Sequence, residues 1–351
     1  MASEEFEGLE DQLGIERRKV DVATVNFSVR ELVRMYEDGE LNIAPSYQRK
    51  YRWPSRVASV FVESVFLGLP IPPIFVATND NFDWEVVDGV QRISTLILFL
   101  SEDVGVRKRV GREEALRLKD LEKLSQLNGT VYTDLPVGIR RYFARQPLQV
   151  ISLTDKSDKA VRFDLFERLN TGSISLTPQE VRSAVYEGQF IDFVEDLSTN
   201  PALASLLKLQ EANQQDGTAA EQVLKFFAYK NDQPSFRGAV THFLNEYIAK
   251  TDAKFDYIAE RELYEKSARF LAEAVGGPFL RRNTPVTPLV QFEACMIGIA
   301  RIYESGADPV VPAIDWLNDT ELVAASTGGT NTRAMLSRRV DRAKAIFSGE
   351  A

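Results

Sequence analysis

The spacing of hydrophobic and polar positions divides the chain into a mixed first part and a helical second part. Apolar residues of V-R-E-L-V-R-M-Y, from Val29, recur at helical spacing behind the capping box S-V-R-E that begins at Ser28. Ser55 opens a second helix, R-V-A-S-V-F-V-E-S-V-F-L-G-L, which stops at Gly68 and P-I-P-P. Ile74-Phe75-Val76 and Trp84-Glu85-Val86-Val87 read as short strands, and L-Q-V-I-S-L from Leu148 to Leu153 carries the last clear β signal. Between them, 105–132 is charged and broken by turns, which predicts one helix with flanking loops. Downstream, V-R-F-D-L-F-E-R-L ends at Asn170-Thr171-Gly172, and Thr177-Pro178-Gln179-Glu180 signals a new helix start. Amphipathic runs follow at Glu221–Lys230, Val240–Lys250, Tyr257–Ala274, Pro288–Tyr303 and Thr332–Phe347. The expected fold class is α+β (mixed α/β), with a loose acidic arm over 1–18, an α/β domain over 19–157 and a helical domain over 158–351.

One stretch organises the first part, W-E-V-V-D-G-V-Q-R-I-S-T-L-I-L-F-L from Trp84 to Leu100. It predicts a buried strand, a sharp reversal at Asp88-Gly89 and a helix whose apolar face runs through Ile93, Leu96, Ile97 and Leu100. The first turn of such a helix carries free N–H groups, with Gln91, Arg92, Ser94 and Thr95 beside them. Free amides, the helix dipole and a guanidinium fork favour phosphate. The same pattern also describes a structural turn that binds nothing.

Composition narrows the chemistry. A net charge of −9 over 351 residues argues against bulk electrostatic coating of nucleic acid and leaves local basic patches as the route to DNA. The basic clusters are Arg107-Lys108-Arg109, Arg140-Arg141 with Arg145, and Arg338-Arg339 with Arg342. The single cysteine, Cys295, lies in an apolar run, so no disulfide framework or cysteine-rich zinc site exists. The single histidine, His242, lacks the surroundings of a nuclease base or of a Ser-His-Asp or Cys-His triad. Neither a P-loop nor a G-x-G-x-x-G fingerprint is present. The acidic N-terminus lacks signal-peptide order and no apolar run reaches membrane-spanning length, so a soluble cytoplasmic protein is expected.

Four segments occur in order: P-S-Y-Q-R-K-Y-R-W-P (45–54), E-S-V-F-L-G-L-P-I-P-P-I-F (63–75), V-D-G-V-Q-R-I-S-T-L (87–96) and F-E-R-L-N-T-G-S-I-S-L-T-P-Q-E-V-R (166–182). Together they resemble the N-terminal domain family of the GmrSD type IV restriction endonucleases, with its ParB/sulfiredoxin-like fold and Asp-Gly-Gln-Gln-Arg motif. The resemblance implies a nucleotide-binding and hydrolysing site, a Mg²⁺-dependent NTPase of prokaryotic anti-phage defence that senses DNA, in some members modified DNA. The motif falls on Asp88, Gly89, Val90, Gln91 and Arg92, with Val90 in place of the usual Gln. The C-terminal HNH-like nuclease domain of many relatives has no counterpart in the sequence, which implies a separate nuclease effector. Homo-oligomerisation is left open.

By this resemblance Asp88, Gln91 and Arg92 are the candidate catalytic residues, with Asp88 either holding Mg²⁺ or only capping the helix. Gly89, Arg92, Ser94, Thr95, Gln48, Arg49 and Asn170 are the candidate nucleotide contacts. Tyr47, Tyr51, Arg52 and Trp53 alternate aromatic and cationic groups able to stack bases and hold phosphates, although Tyr51 and Trp53 suit core positions equally well. Two other function classes stay open: a stand-alone metal-dependent DNA endonuclease and a non-catalytic interaction adaptor.

Overall fold

Strand β4 (Trp84–Asp88) sits fourth in a five-stranded mixed sheet of order β1-β5-β3-β4-β2. The other strands are β1 (Val22–Ser28), β2 (Leu41–Asn42), β3 (Ile74–Thr78) and β5 (Pro147–Leu153). β1 runs antiparallel to β5, β5 parallel to β3, β3 antiparallel to β4, and β4 parallel to β2. The computed structural model describes residues 8–18, 21–43, 51–79, 81–154, 159–169, 177–186, 188–213, 216–251, 255–312 and 315–350. Its contacts divide the chain into two units, 1–175 and 176–351.

The first unit holds the sheet with helices α1 (Leu9–Arg18), α2 (Val29–Asp38), α3 (Ser55–Phe66), α4 (Val90–Leu100), α5 (Val104–Arg109), α6 (Val137–Ala144) and α7 (Lys159–Leu169). The fold is α+β, as expected. Ser28 caps α2 by accepting from the Glu31 amide at 3.2 Å. The core packs α2, α3, α4 and the sheet around Ile93, Leu96, Ile97, Leu98 and Phe99, each at most 2% exposed. Burying side chains of this size stabilises by about 1.5–3 kcal/mol apiece. Phe66, Phe99 and Phe143 stack edge-on or tilted at 4.4 to 6.4 Å, joining α3, α4 and α6.

Three local expectations change. Residues 9–18 form helix α1 within the stretch expected to be a loose arm. β1 is a strand that the sequence pattern did not announce, because Val22 and Val25 on this edge strand stay 49% and 45% exposed among polar neighbours. Helix α7, whose text reads as the start of the helical part, contacts β4 and groups with the sheet.

The second unit is helical, with α8 (Pro178–Val185), α9 (Gln189–Ser198), α10 (Pro201–Leu206), α11 (Thr218–Asp232), α12 (Val240–Lys250), α13 (Tyr257–Val275), α14 (Leu289–Glu304), α15 (Thr320–Ala325) and α16 (Arg333–Ser348). The Thr177 capping box closes in both directions, Glu180 N to Thr177 Oγ1 at 3.2 Å and Thr177 N to Glu180 Oε2 at 2.7 Å. A chain of buried charges links four of these helices. Arg182 on α8, 0% exposed, binds Glu221 at 3.0 Å and Asn245 at 2.9 Å. Lys225 joins Glu221 at 3.0 Å to Glu293 at 3.2 Å, and Arg339 lies 3.8 Å from Glu293. Buried charges persist only when paired this way.

Candidate functional site

The β4–α4 turn has the predicted shape. Asp88 closes β4, and Gly89 is the N-cap of α4 with φ 107° and ψ 9°. Only glycine suits that backbone, and a Cβ there would lie 3.1 Å from Ile74 Cγ1 and 3.4 Å from Arg92 Nη2. No side chain caps the helix. Its first-turn amides are therefore left to water or to a ligand, at the positive end of the helix dipole.

Arg92 turns back under this turn instead of out into solvent. Its Nη2 meets Asp88 Oδ2 at 2.6 Å, while Nη1 donates to the carbonyls of Pro72 at 2.5 Å and Pro73 at 3.2 Å. The Arg92 side chain is 11% exposed and the Asp88 side chain 44%. Three of the five guanidinium N–H donors are thus committed to protein groups. Arg92 ties β4, α4 and the proline loop before β3 into one rigid corner. These proline carbonyls are partners of Arg92 that the sequence reads only as a helix stop.

Gln91 reaches sideways. Its Oε1 accepts from the amides of Arg52 at 2.9 Å and Trp53 at 3.2 Å, so it holds the segment before α3 against the start of α4. The Thr95 hydroxyl donates to the Gln91 carbonyl at 2.7 Å and lies 3.0 Å from the Tyr51 hydroxyl. Trp53 packs edge-on against Phe61 at 5.5 Å.

Several expected contacts fall differently. Ser94 and Thr95 are 2% and 0% exposed, because helical periodicity turns them into the core, so neither offers a hydroxyl to the open end of α4. Tyr51 is 8% exposed with its hydroxyl bonded to Thr95, and burial pushes that hydroxyl's pKa up; it is a framework residue, not an open stacking face. Trp53 is a half-buried core anchor, whereas Arg52 is exposed. Tyr47, Gln48, Arg49 and Asn170 lie outside the described residues. The turn thus brings Asp88, Gly89, Gln91, Arg92 and the 51–53 segment together.

As a cation site, Asp88 supplies one carboxylate with Oδ2 paired to Arg92 and half of the side chain open. Among the described residues no group of three His, Cys, Asp or Glu side chains is arranged to hold a metal. One carboxylate fits Mg²⁺ that arrives with phosphate and water ligands, and does not fit a cage built from protein alone. Two of the three basic clusters are largely spent inside the protein, whereas Arg141 and Arg145 of the third are exposed. Arg107 donates to the carbonyls of Ser101 and Glu113, both at 2.7 Å, Arg109 lies over the Tyr36 ring, and Arg342 pairs with Asp319 at 2.7 Å.

Among the described residues no helix is long and apolar enough to cross a membrane. Neither a curated protein nor a solved structure matches the chain. A family match does exist, over residues 29–187, from the first residue of α2 to just past α8, and so includes the whole β4–α4 corner. That segment matches the family model described as the GmrSD restriction endonuclease, N-terminal domain.

Proposed function

We propose that residues 29–187 form the nucleotide-binding, NTP-hydrolysing and DNA-sensing module of a prokaryotic restriction or anti-phage system that works with a separate nuclease. The observation that carries this reading is the uncapped start of α4 behind Gly89, with Arg92 fixed beside it and Gln91 at its rim. The two N–H donors of Arg92 not given to Asp88 or the prolines, with the first-turn amides, offer an anion a ready-made seat. Asp88 would hold the Mg²⁺ that accompanies a triphosphate, which would neutralise phosphate charge during hydrolysis. Fixing Arg92 in advance lowers the ordering cost of binding.

One observation favours a second reading. Three bonds from Arg92 to protein groups are what a purely structural corner needs, and the domain would then be an adaptor. Calorimetry with the four NTPs, with Mg²⁺ and with EDTA, separates the two. The first reading expects Mg²⁺-dependent binding, and Asp88→Asn, which keeps an acceptor for Arg92, abolishes the Mg²⁺ dependence. Absence of any NTP binding leaves the adaptor.

A further inference from the structure

A second feature of the first unit lies outside the corner just described. A cleft of about 480 Å³ opens between the first turn of α3 and the loop 112–119. Ser55 and Leu98 form part of its wall, and three cations line it, Arg112, Arg117 and Lys119, against one carboxylate, Glu114. An excess of positive charge in a cleft stands out on a chain with net charge −9.

Backbone and serine bonds pin the loop to α3 and α4, and Arg117 also donates to the Gly129 carbonyl. The Lys119 amide donates to Ser59 Oγ at 3.0 Å, and Ser59 Oγ donates to the Ser55 carbonyl at 2.7 Å, so the loop is pinned to the first turn of α3. The Leu116 amide donates to the Leu98 carbonyl at 2.8 Å, which fixes the opposite wall to the end of α4. Arg112 lies 4.6 Å over the Tyr51 ring, with Nη2 3.5 Å from the Trp53 carbonyl. Arg117 shares its charge with Asp134 at 3.8 Å. Neither Arg112 nor Lys119 has a carboxylate partner among the described residues. The α3 helix begins at Ser55 behind Pro54, an N-cap with no side-chain bond, so its first-turn amides add to the positive wall.

We infer that this cleft binds a phosphate group of a nucleotide unit, with Arg112 and Lys119 as the phosphate ligands. The inference is independent of the α4 corner, because no residue of that corner lines the cleft. The phosphate belongs either to a nucleic-acid strand or to a free nucleotide, and one experiment tells them apart.

Fluorescence anisotropy of a labelled single-stranded 12-mer is measured on the full chain, over a salt series, with unlabelled 12-mer and pyrophosphate as competitors. Lys119→Ala and Arg112→Gln are each expected to weaken binding about tenfold and to reduce the salt slope by about 0.7 per lost phosphate contact. Arg34→Ala removes an equal charge from α2 at a side chain 77% exposed and is expected to change little. Lys119 is exposed, so its removal leaves the melting temperature unchanged and separates binding from folding. Displacement by the 12-mer alone assigns the site to a strand, and equal displacement by pyrophosphate assigns it to free phosphates. The inference is overturned if neither the 12-mer, by anisotropy, nor pyrophosphate, by calorimetry, binds the full chain, or if both cleft variants bind like Arg34→Ala.

Discussion

Substituting Gly89 by alanine tests the corner from which the site is built. The added Cβ must adopt φ 107°, a left-handed backbone that costs an L-residue about 1–2 kcal/mol. It also meets Ile74 Cγ1 at 3.1 Å, Ile74 Cγ2 at 3.4 Å and Arg92 Nη2 at 3.4 Å. Ile74 is 1% exposed on β3 between two neighbouring strands, so it has little room to move, and overpacking of this kind costs about 1–3 kcal/mol. Gly89→Ala is therefore expected to destabilise the first unit by about 2–5 kcal/mol. Gly39 supplies the control: φ is 84° at the end of α2, and nothing lies within 4 Å of the added atom, so Gly39→Ala costs only the backbone term of about 1–2 kcal/mol. Urea unfolding followed by tryptophan fluorescence reads the difference. A Trp316→Phe background leaves Trp53 and Trp84, both in the first unit, as reporters. Equal destabilisation by the two alanines, within about 0.5 kcal/mol, would refute the close packing of Gly89 against Ile74 and Arg92.

Further outcomes follow from the same contacts. Tyr51→Phe removes one buried hydroxyl bond and is expected to cost about 1 kcal/mol in urea unfolding, while leaving oligonucleotide affinity unchanged, since the buried Tyr51 ring is not an open stacking face. Burial raises the Glu221 pKa, but Lys225 and Arg182 outweigh it and hold the carboxyl below the ordinary range. Its folded pKa is thus depressed, so its stabilisation is complete above the unfolded carboxylate value of about 4.3 and is lost as pH falls through the lower folded value. A pH series of thermal melts should show that acid loss diminished in Glu221→Gln. Cys295 is 0% exposed and burial pushes its thiol up, so thiol reagents should label it only after the second unit unfolds.

The parts of the fold that were legible in the sequence are those set by local chemistry. The Ser28 and Thr177 caps, the Gly89 reversal and the long amphipathic helices α11 to α14 and α16 all stand close to where their patterns put them. β1 was illegible because an exposed edge strand needs no hydrophobic alternation, and its pairing with β5 is more than 100 residues distant in sequence. The corner's residues were legible as a cluster but their roles were not. Nothing in D-G-V-Q-R says that Arg92 will spend donors on proline carbonyls twenty residues earlier, or that Gln91 will hold the amides of 52 and 53. Ser94 and Thr95 looked like ligands because they follow the turn in sequence, whereas the helical rotation carries them into the core. Arg112 and Lys119 were hidden in a charged stretch whose partners are set by tertiary contacts with α3 and α4.

Whether the start of α4 seats a nucleotide phosphate is read out by Gln91→Glu. The glutamate keeps an oxygen acceptor for the Arg52 and Trp53 amides, and its charge at the helix start is stabilising by about 0.3–1 kcal/mol, so the fold should be retained. A phosphate about 5 Å away would instead meet repulsion of about 3 kcal/mol at an effective dielectric constant of about 20. Calorimetry should then show wild-type melting behaviour with NTP affinity reduced about a hundredfold. Undiminished NTP affinity in the folded Gln91→Glu protein would contradict the claim.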